Sequence, residues 1–585
     1  MRETPPCSEE DSLRLRLRPM QSLWGAALLT ALALVAGLRL LALHSDPYPL
    51  LDWSAGLLTD EGFYLHNARN TLLFGHPRTD EFNNMLLSPL LHLAQLALFS
   101  LLGVGSLQAR LISVGAGLLS LLLLFAALQR AFDTRIALTA TLLLGLEHTY
   151  LLYNRMALMD TPAALGAVAA FYAFARSHSQ PQSRHEGGWL FVCGLLLGLT
   201  VISRTLCVYL LGVPLLALLW GFWGRSGGMW RRLGWVYGGV LCLLTLYLLV
   251  WYLPHRAELS HMSRYYLTEQ ILPKSAGSLV ANIASGFFGD HRNLFPYLFR
   301  HTPVLLLLSL CGIVGIASRL RSPAERPSPP EIYLAAWLTC GWALLIFSSY
   351  APSRYYVSFY PAMAAMAAIL LGRWSKRNRL FEGSNAKARW LTALLCAVAV
   401  YHLMAIPLLN RSEMLPAVRG GLLIGVPALV GAAIGIFSGT IGGRKAIDAL
   451  SRPALLAPGL LALWLVINAG WLSHWIYTLS YSQHEMSRLL SNTLPANSVL
   501  IGEAAPGVSM DNRFRVVNVL PGLCNDQQPV ERFAGRPRYL VIMDGRTRKP
   551  FWDRFYPSLL APERRILSAK VVGWEVGIYR VDDSP

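Results

Sequence analysis

The sequence predicts an α-helical polytopic membrane protein of about thirteen transmembrane helices, ending in a small extracytoplasmic α/β domain. Three observations predict it. The 585 residues are 54% hydrophobic and only 14% charged, with a mean hydropathy of +0.42, a composition typical of chains that face lipid over much of their surface. Apolar runs recur between residues 22 and 478, and about 20 helical residues are enough to cross a hydrocarbon core of about 30 Å. Beyond residue 478 the pattern changes to short apolar stretches separated by polar and turn residues.

The first run, Ser22 to Leu43, follows Arg14, Arg16 and Arg18. These arginines hold a cytoplasmic tail, 1–21, on the inner side. The run is too long for the core of a signal peptide and no small-residue cleavage site follows, so it reads as an anchor. Further apolar segments fall near 86–102, 108–128, 136–152, 158–176, 189–204, 206–223, 233–253, 303–319, 331–350, 355–372, 389–407, 420–439 and 454–478. The basic loops between them, at Arg130 and Arg135, Arg176 and Arg184, Arg225 to Arg232, Arg319 to Arg326, Arg373 to Arg389, and Arg444 with Lys445, belong inside. With 44–85 outside and Arg130 inside, only one crossing fits between them, although two apolar segments lie there. The segment 86–102, short and carrying Pro89, His92 and Gln95, is the one that reads as interfacial or re-entrant. The result is thirteen crossings, with the N-terminus in and the C-terminus out. The transmembrane domain covers 22–478, with outer loops at 44–107 and 254–302, and an outer domain covers 479–585.

Within that outer domain, "SVLIGE", "RVVNV", "YLVIMD" and "GWEVGIYRV" read as strands, and 483–493 has helical periodicity. The net charge of +18 is distributed over loops between spans, which serves topology rather than nucleic-acid binding. Six of the eight cysteines lie in apolar spans, and no spacing suggests a disulfide framework or a zinc site. The tail holds no G-x-G-x-x-G or Walker pattern, so nucleotide binding finds no support there, and the chain lacks a G-x-S-x-G elbow and an H-E-x-x-H pair, so hydrolase readings find none either.

The candidate functional residues gather on the predicted outer side. In "LLTDEGFYLHNARN", Asp60 and Glu61 open a helical pattern running to about Phe74. They serve either as caps and dipole partners of that helix or as a general base for a hydroxyl acceptor. Asp160 follows Arg155 at the outer end of a span, where a charge must pair or face a polar cavity. Arg204 interrupts a 35-residue apolar run and marks a turn between two spans, as a snorkelling cation or as an anion site. Arg354, in "APSRYYVSFYP", lies outside against the positive-inside bias, next to Tyr355 in an aromatic belt. His255, His261, His291 and His301 lie in the largest outer loop; His255 and His261 are weak metal candidates, since no two of these histidines have a diagnostic spacing.

The acidic pair, "NRMALMD", the arginine of "GLTVISR" and "PSRYYVSFYP", in this order and on one side, resemble membrane glycosyltransferases of the GT-C fold, in particular the protein mannosyltransferase and aminoarabinose (lipid A) transferase group. The resemblance covers most of 22–372 and extends to a C-terminal outer domain. It implies transfer of a sugar from a polyprenyl-phosphate carrier to a hydroxyl on a lipid, glycan or protein at the outer face, with inversion. It also implies Asp60 as base with Glu61 beside it, Asp160 and Arg155 in the acceptor or metal region, and Arg204, Arg354 and Tyr355 at the donor phosphate. No cofactor is required for certain and a divalent metal is left open. Two departures stand out: the lysine usual in the family at the "GLT" turn is Arg204 here, and "MLLSPL" replaces a charged pair before Pro-Pro. The alternative is a multi-pass transporter or lipid flippase. Charges gathered at one face, the lack of an evident internal repeat and the terminal domain favour the enzyme.

Overall fold

A computed structural model describes residues 26–374 and 453–582, with short breaks at 27–28, 31, 53, 180–184, 222–227, 290–292, 321–324 and 545–548, and fragments of 426–433. The predicted span 389–407, nearly all of 420–439 and the basic loops at 375–389 and 444–445 lie outside the described residues. After a helical stretch over 32–40 come α1 (Gly56–Phe74), α2 (Pro89–Leu102), α3 (Ser106–Ala131), α4 (Thr134–Gly145), α5 (His148–Tyr153), α6 (Asp160–Ser179), α7 (Glu186–Ser203), α8 (Gly212–Gly221) and α9 (Met229–Tyr247). Then follow α10 (Arg256–Ser263), α11 (Ala276–Phe288), α12 (Leu294–His301), α13 (Pro303–Arg319), α14 (Pro329–Phe347), α15 (Tyr360–Trp374) and α16 (Pro453–Tyr477).

Among the described residues, six helical stretches are long and apolar enough to cross a membrane, and α12 with α13, bent by 119°, would make a seventh. Thirteen is not reached there, and several departures have visible causes. The segment 86–102 forms only the 14 residues of α2, about 21 Å at 1.5 Å per residue, and packs along α1. The run 136–152, expected to be one helix, breaks at Leu146 and Glu147. Glu147 is fully buried and accepts from Trp464 Nε1 at 2.9 Å, while Asn468 Oδ1 accepts from the His148 backbone N–H at 2.7 Å. Two side chains of α16 thus satisfy the buried carboxylate and a backbone N–H that the break deprives of its helical partner. The run 206–223 starts as a 3₁₀ turn, Thr205–Leu211, and resumes at Gly212, so that Pro214 falls in a first helical turn, where its missing N–H costs nothing. The stretch 254–302, expected to be a loop, is largely helical; α11 is entered through a capping box between Ser275 and Ser278.

The helices α6, α7 and α9 pack side by side, with α3 against α6. Gly194 on α7 and Gly239 on α9 lie against the backbones of Val236 and Phe191, the close approach that small residues permit between apolar helices. At the end of the bundle that holds Arg176, acidic residues at helix starts meet basic residues in the first or last turns of neighbouring helices. Glu331 pairs with Arg319 at 3.1 Å and with Arg373, and Glu186 pairs with Arg232. The opposite end carries 44–105, the turn 154–159, Arg204, the 3₁₀ turn Ser353–Phe359 and the C-terminal domain.

That domain comprises α17 (Ser482–Thr493), β1 (Val499–Ile501), β2 (Arg515–Val517), β3 (Arg538–Met543), α18 (Lys549–Phe555), β4 (Arg565–Val571) and β5 (Trp574–Arg580). The sheet order is β2-β1-β3-β5-β4; β1 is parallel to β2 and β3, and β5 is antiparallel to β3 and β4. The strand β4, with its alternating burial, is the one that the sequence reading missed, because "RILSAKV" carries two charges and looks like a polar edge.

Candidate active site

The helix α1 is unusual in burying its polar and charged side chains: Thr59, Asp60, Glu61, His66, Asn67, Arg69 and Asn70 are all buried. Consecutive helical residues are about 100° apart, so neighbouring Asp60 and Glu61 address different surroundings. Glu61 receives Arg110 of α3 in a two-pronged pair, Nε to Oε1 at 2.8 Å and Nη2 to Oε2 at 2.6 Å, and Oε1 also accepts the Ala157 backbone N–H at 2.7 Å. Arg110 Nη1 also donates to the carbonyls of Leu43 and Ser45. This carboxylate clamps the segment 43–61 and the turn 154–159 onto α3, and its oxygens are fully engaged.

Asp60 lies 2.9 Å, Oδ2 to Nη1, from Arg354. Beside it Asp160, the first residue of α6, pairs with Arg204 Nε at 3.1 Å, and Arg204 Nη1 donates to the Tyr64 hydroxyl at 3.4 Å. Both guanidinium groups lie over the Tyr355 ring, at 4.4 Å for Arg204 and 5.4 Å for Arg354, a distance at which the ring's negative face attracts them. The backbone explains the placement. Arg204 is extended, with φ −151° and ψ 102°, between α7 and the 3₁₀ turn, so its side chain leaves the helix axis sideways. Arg354 and Tyr355 lie on the 3₁₀ turn that follows Pro352.

All four charges are buried, yet their hydrogen-bonding capacity is not filled. Arg354 Nε and Nη1, Asp60 Oδ2 and Asp160 Oδ2 have no aligned hydrogen-bond partner among the described residues. Hydrogen-bonding capacity left open in a buried, ion-paired cluster calls for a ligand or a function. Burial pushes the Asp60 carboxyl above its ordinary range, with Arg354 pulling the other way; burial also raises the Tyr64 hydroxyl.

The structure therefore brings together Asp60, Asp160, Arg204, Arg354 and Tyr355 and leaves out the other candidates. Arg155 does not pair with Asp160; it donates to the carbonyls of Arg39, Leu41 and Ala42 and lies over Trp475 at 4.5 Å, binding the end of the first helical stretch to α16. His255 is hydrogen-bonded to the Trp251 carbonyl and His261 to the Leu523 carbonyl, and among the described residues no group of three His, Cys, Asp or Glu side chains could hold a metal. Tyr64 and Gly56 were missed by the sequence reading, although each lies four residues from Asp60, on the same helix face. A Cβ at Gly56 would lie 2.7 Å from Asp60 Oδ2 and 2.9 Å from Arg354 Nη1.

Residues 87–252 match the family model described as dolichyl-phosphate-mannose-protein mannosyltransferase. That stretch contains Asp160 and Arg204 but neither Asp60 nor Arg354. No curated protein sequence matches the chain significantly. Among solved structures, ArnT from Cupriavidus metallidurans bound to undecaprenyl phosphate superposes with a TM-score of 0.57 at 16% identity, over 94% of this chain and 98% of that one. The chain has the GT-C glycosyltransferase fold. The apo form of the same ArnT gives a TM-score of 0.55 at 17% identity, over 96% and 98% of the two chains. The Archaeoglobus fulgidus oligosaccharyltransferase, tethered with an acceptor peptide, gives 0.46 at 13% identity, over 88% and 69%.

Proposed function

We propose that the protein is an integral-membrane glycosyltransferase that moves a sugar from a polyprenyl-phosphate carrier to a hydroxyl of a lipid, glycan or protein acceptor at the outer face, with inversion. The observation that carries this reading is the buried quartet at one end of the bundle: two arginines over one tyrosine ring, each against an aspartate, with guanidinium donors left unfilled. The ArnT structure with undecaprenyl phosphate and the family match supply the substrate class.

The chemistry follows from the groups present. The acceptor oxygen bonds to the anomeric carbon, and the bond from that carbon to the phosphate oxygen breaks with its electron pair left on the polyprenyl phosphate. The acceptor proton passes to Asp60. A carboxylate whose pKa burial has raised is, in its ionised form, a stronger base than a solvated one. Arg204 and Arg354 stabilise charge that grows on the departing phosphate, and the broad Tyr355 ring keeps the two guanidiniums side by side. Arg354 is paired with Asp60 here, so a phosphate that takes Arg354 releases the carboxylate for the acceptor. Glu61, committed to Arg110, holds the scaffold, and Asp160 orients Arg204. An apolar groove of about 440 Å³ between α2, α3 and α6, lined by residues such as Leu101, Ile112, Gly115, Pro162 and Leu165, suits an isoprenoid or acyl chain.

The test uses purified protein in detergent with a synthetic panel of undecaprenyl-phosphate sugars (mannose, glucose, galactose, arabinose and 4-amino-4-deoxyarabinose) and a membrane extract as acceptor. Release of undecaprenyl phosphate coupled to a glycosylated product, absent in Asp60→Asn, supports the reading. Uptake of labelled carrier lipid by proteoliposomes, with no product from any panel member, would favour a flippase.

A further inference from the structure

We infer that the C-terminal domain positions the carboxylate helix: the crevice at the carboxyl ends of its parallel strands receives α1 of the same chain, and Gly507, Gly62 and Gln483 set the height of Asp60. The inference rests on Asp60 being the base and concerns residues that the proposed chemistry does not use.

The strand β1 lies between β2 and β3, parallel to both. In open parallel sheets the connections leaving neighbouring strands diverge at their carboxyl ends and leave a crevice that holds ligands. Here two of those connections hold the segment around α1. The 3₁₀ turn Gly507–Ser509 follows β1 and meets α1 backbone to backbone. A Cβ on Gly507 would overlap the Leu58 carbonyl oxygen, and a Cβ on Gly62 would overlap the Pro506 carbonyl and lie 2.6 Å from the Gly507 nitrogen. No side chain fits between the two backbones. From α17, Gln483 Nε2 donates to the same Leu58 carbonyl at 2.9 Å. After β2, the Asn518 backbone N–H donates to Asp80 Oδ2 at 3.0 Å.

Leu58 and Gly62 are four residues apart and share one face of α1, and Asp60, midway between them, points about 160° away from each. The domain therefore presses on the back of the helix whose front presents Asp60 to Arg354. A rigid helix passes displacement straight through, so any gap opened at Gly507 moves the carboxylate by a similar distance, while Arg204 and Arg354, on other elements, stay where they are. The expected signature is thus a loss of turnover without a loss of donor binding.

The experiment compares full-length wild type, Gly507→Ala, Gln483→Met and Asp60→Asn, using the panel donor that wild type turns over and undecaprenyl phosphate alone as the binding probe. Gly507→Ala should lower kcat at least tenfold and Gln483→Met several-fold, with donor KM and undecaprenyl phosphate Kd within about twofold of wild type. If Gly507→Ala does not yield a monodisperse protein, Gln483→Met decides alone, since it keeps the side-chain length and removes one hydrogen bond. Wild-type kcat in a folded Gly507→Ala, or in Gln483→Met where that variant decides alone, together with an inactive Asp60→Asn, would overturn the positioning role. KM rising in step with a falling kcat would overturn it too. An active Asp60→Asn would instead remove the reading of Asp60 on which the inference stands.

Discussion

Replacing Gly56 by alanine separates the chemistry of the site from the stability of its scaffold. Gly56 is the first residue of α1, and its added Cβ would meet Asp60 Oδ2 at 2.7 Å, Arg354 Nη1 at 2.9 Å and Ser54 Oγ at 2.9 Å, where ordinary contacts begin at 3.4 Å. All three are ends of side chains, so they can retreat without moving backbone. The carboxylate oxygen must then shift by about 0.7 Å and the guanidinium by about 0.5 Å, and since a misplacement of about 1 Å at a reacting group costs about a hundredfold, kcat should fall roughly ten- to a hundredfold. The helix itself gains, because alanine is favoured over glycine by up to about 1 kcal/mol in a helix, less in its first turn. The expected result is an unchanged or slightly higher Tm in detergent together with a markedly lower kcat. Normal turnover in a folded Gly56→Ala would refute the placement of the Asp60–Arg354 pair at the reacting centre, and a Tm many degrees lower would refute the packing around α1.

Asp60→Asn should lose about a hundredfold to ten-thousandfold in turnover. In wild type, kcat/KM should fall as pH drops through a carboxyl pKa lying above the usual Asp value of about 3.9, because the base acts deprotonated and burial has raised its pKa. Arg354→Gln removes the opposing charge and should move that acid limb further up in pH; a downward move would contradict the pairing. Glu61→Gln should fail through stability rather than chemistry. Leaving Arg110 buried without its carboxylate costs about 3–5 kcal/mol, read as a large drop in Tm that exceeds that of Asp60→Asn. Arg204→Gln and Arg354→Gln should lower kcat more than they raise donor KM, with lysine restoring more at 204 than at 354, and near-normal rates in both glutamine variants would move the phosphate site elsewhere. In a variant lacking the native cysteines, single cysteines replacing Gln129 and Ser318 should react with an impermeant reagent only after permeabilisation, whereas those replacing His76 and Glu575 should react in intact cells. Reaction of position 129 from outside would invert the sidedness.

The candidate site was legible to the extent that its residues break local rules. Asp60 and Asp160 are acids in a chain poor in acids, Arg204 interrupts a long apolar run, and Arg354 lies in a short turn with aromatic neighbours. Each stands out without any knowledge of contacts. Pairings were not legible, because they join residues 44 and 294 positions apart or, for Glu61 and Arg110, residues on separate helices. Adjacent carboxylates look equivalent in sequence, and only the helical rotation between them sends Asp60 to Arg354 and Glu61 to Arg110. Strands β1, β2, β3 and β5 were visible as apolar stretches, and β4 was hidden by its exposed face. Hydropathy could not show where a span breaks, since the break at Glu147 depends on Trp464 and Asn468, more than 300 residues later.

The polar groups of the segment 46–80 find their partners very late in the chain. Asp46 accepts from Ser480, Ser482 and Gln483, Arg69 donates to the carbonyls of Asn512 and Phe514, and Asp80 accepts from Asn518 and Asn525. A ribosome adds about 5–20 residues per second, so for some tens of seconds after residue 80 is made, the carboxylates and arginine of this segment must wait without these partners. Contacts of such long sequence separation form late in folding. The segment therefore cannot settle helix by helix: the partners of Asp46, Arg69 and Asp80 are complete only once Asn525 of the 585 residues has been made, and a chain that stalls before then leaves the surroundings of α1 unfinished.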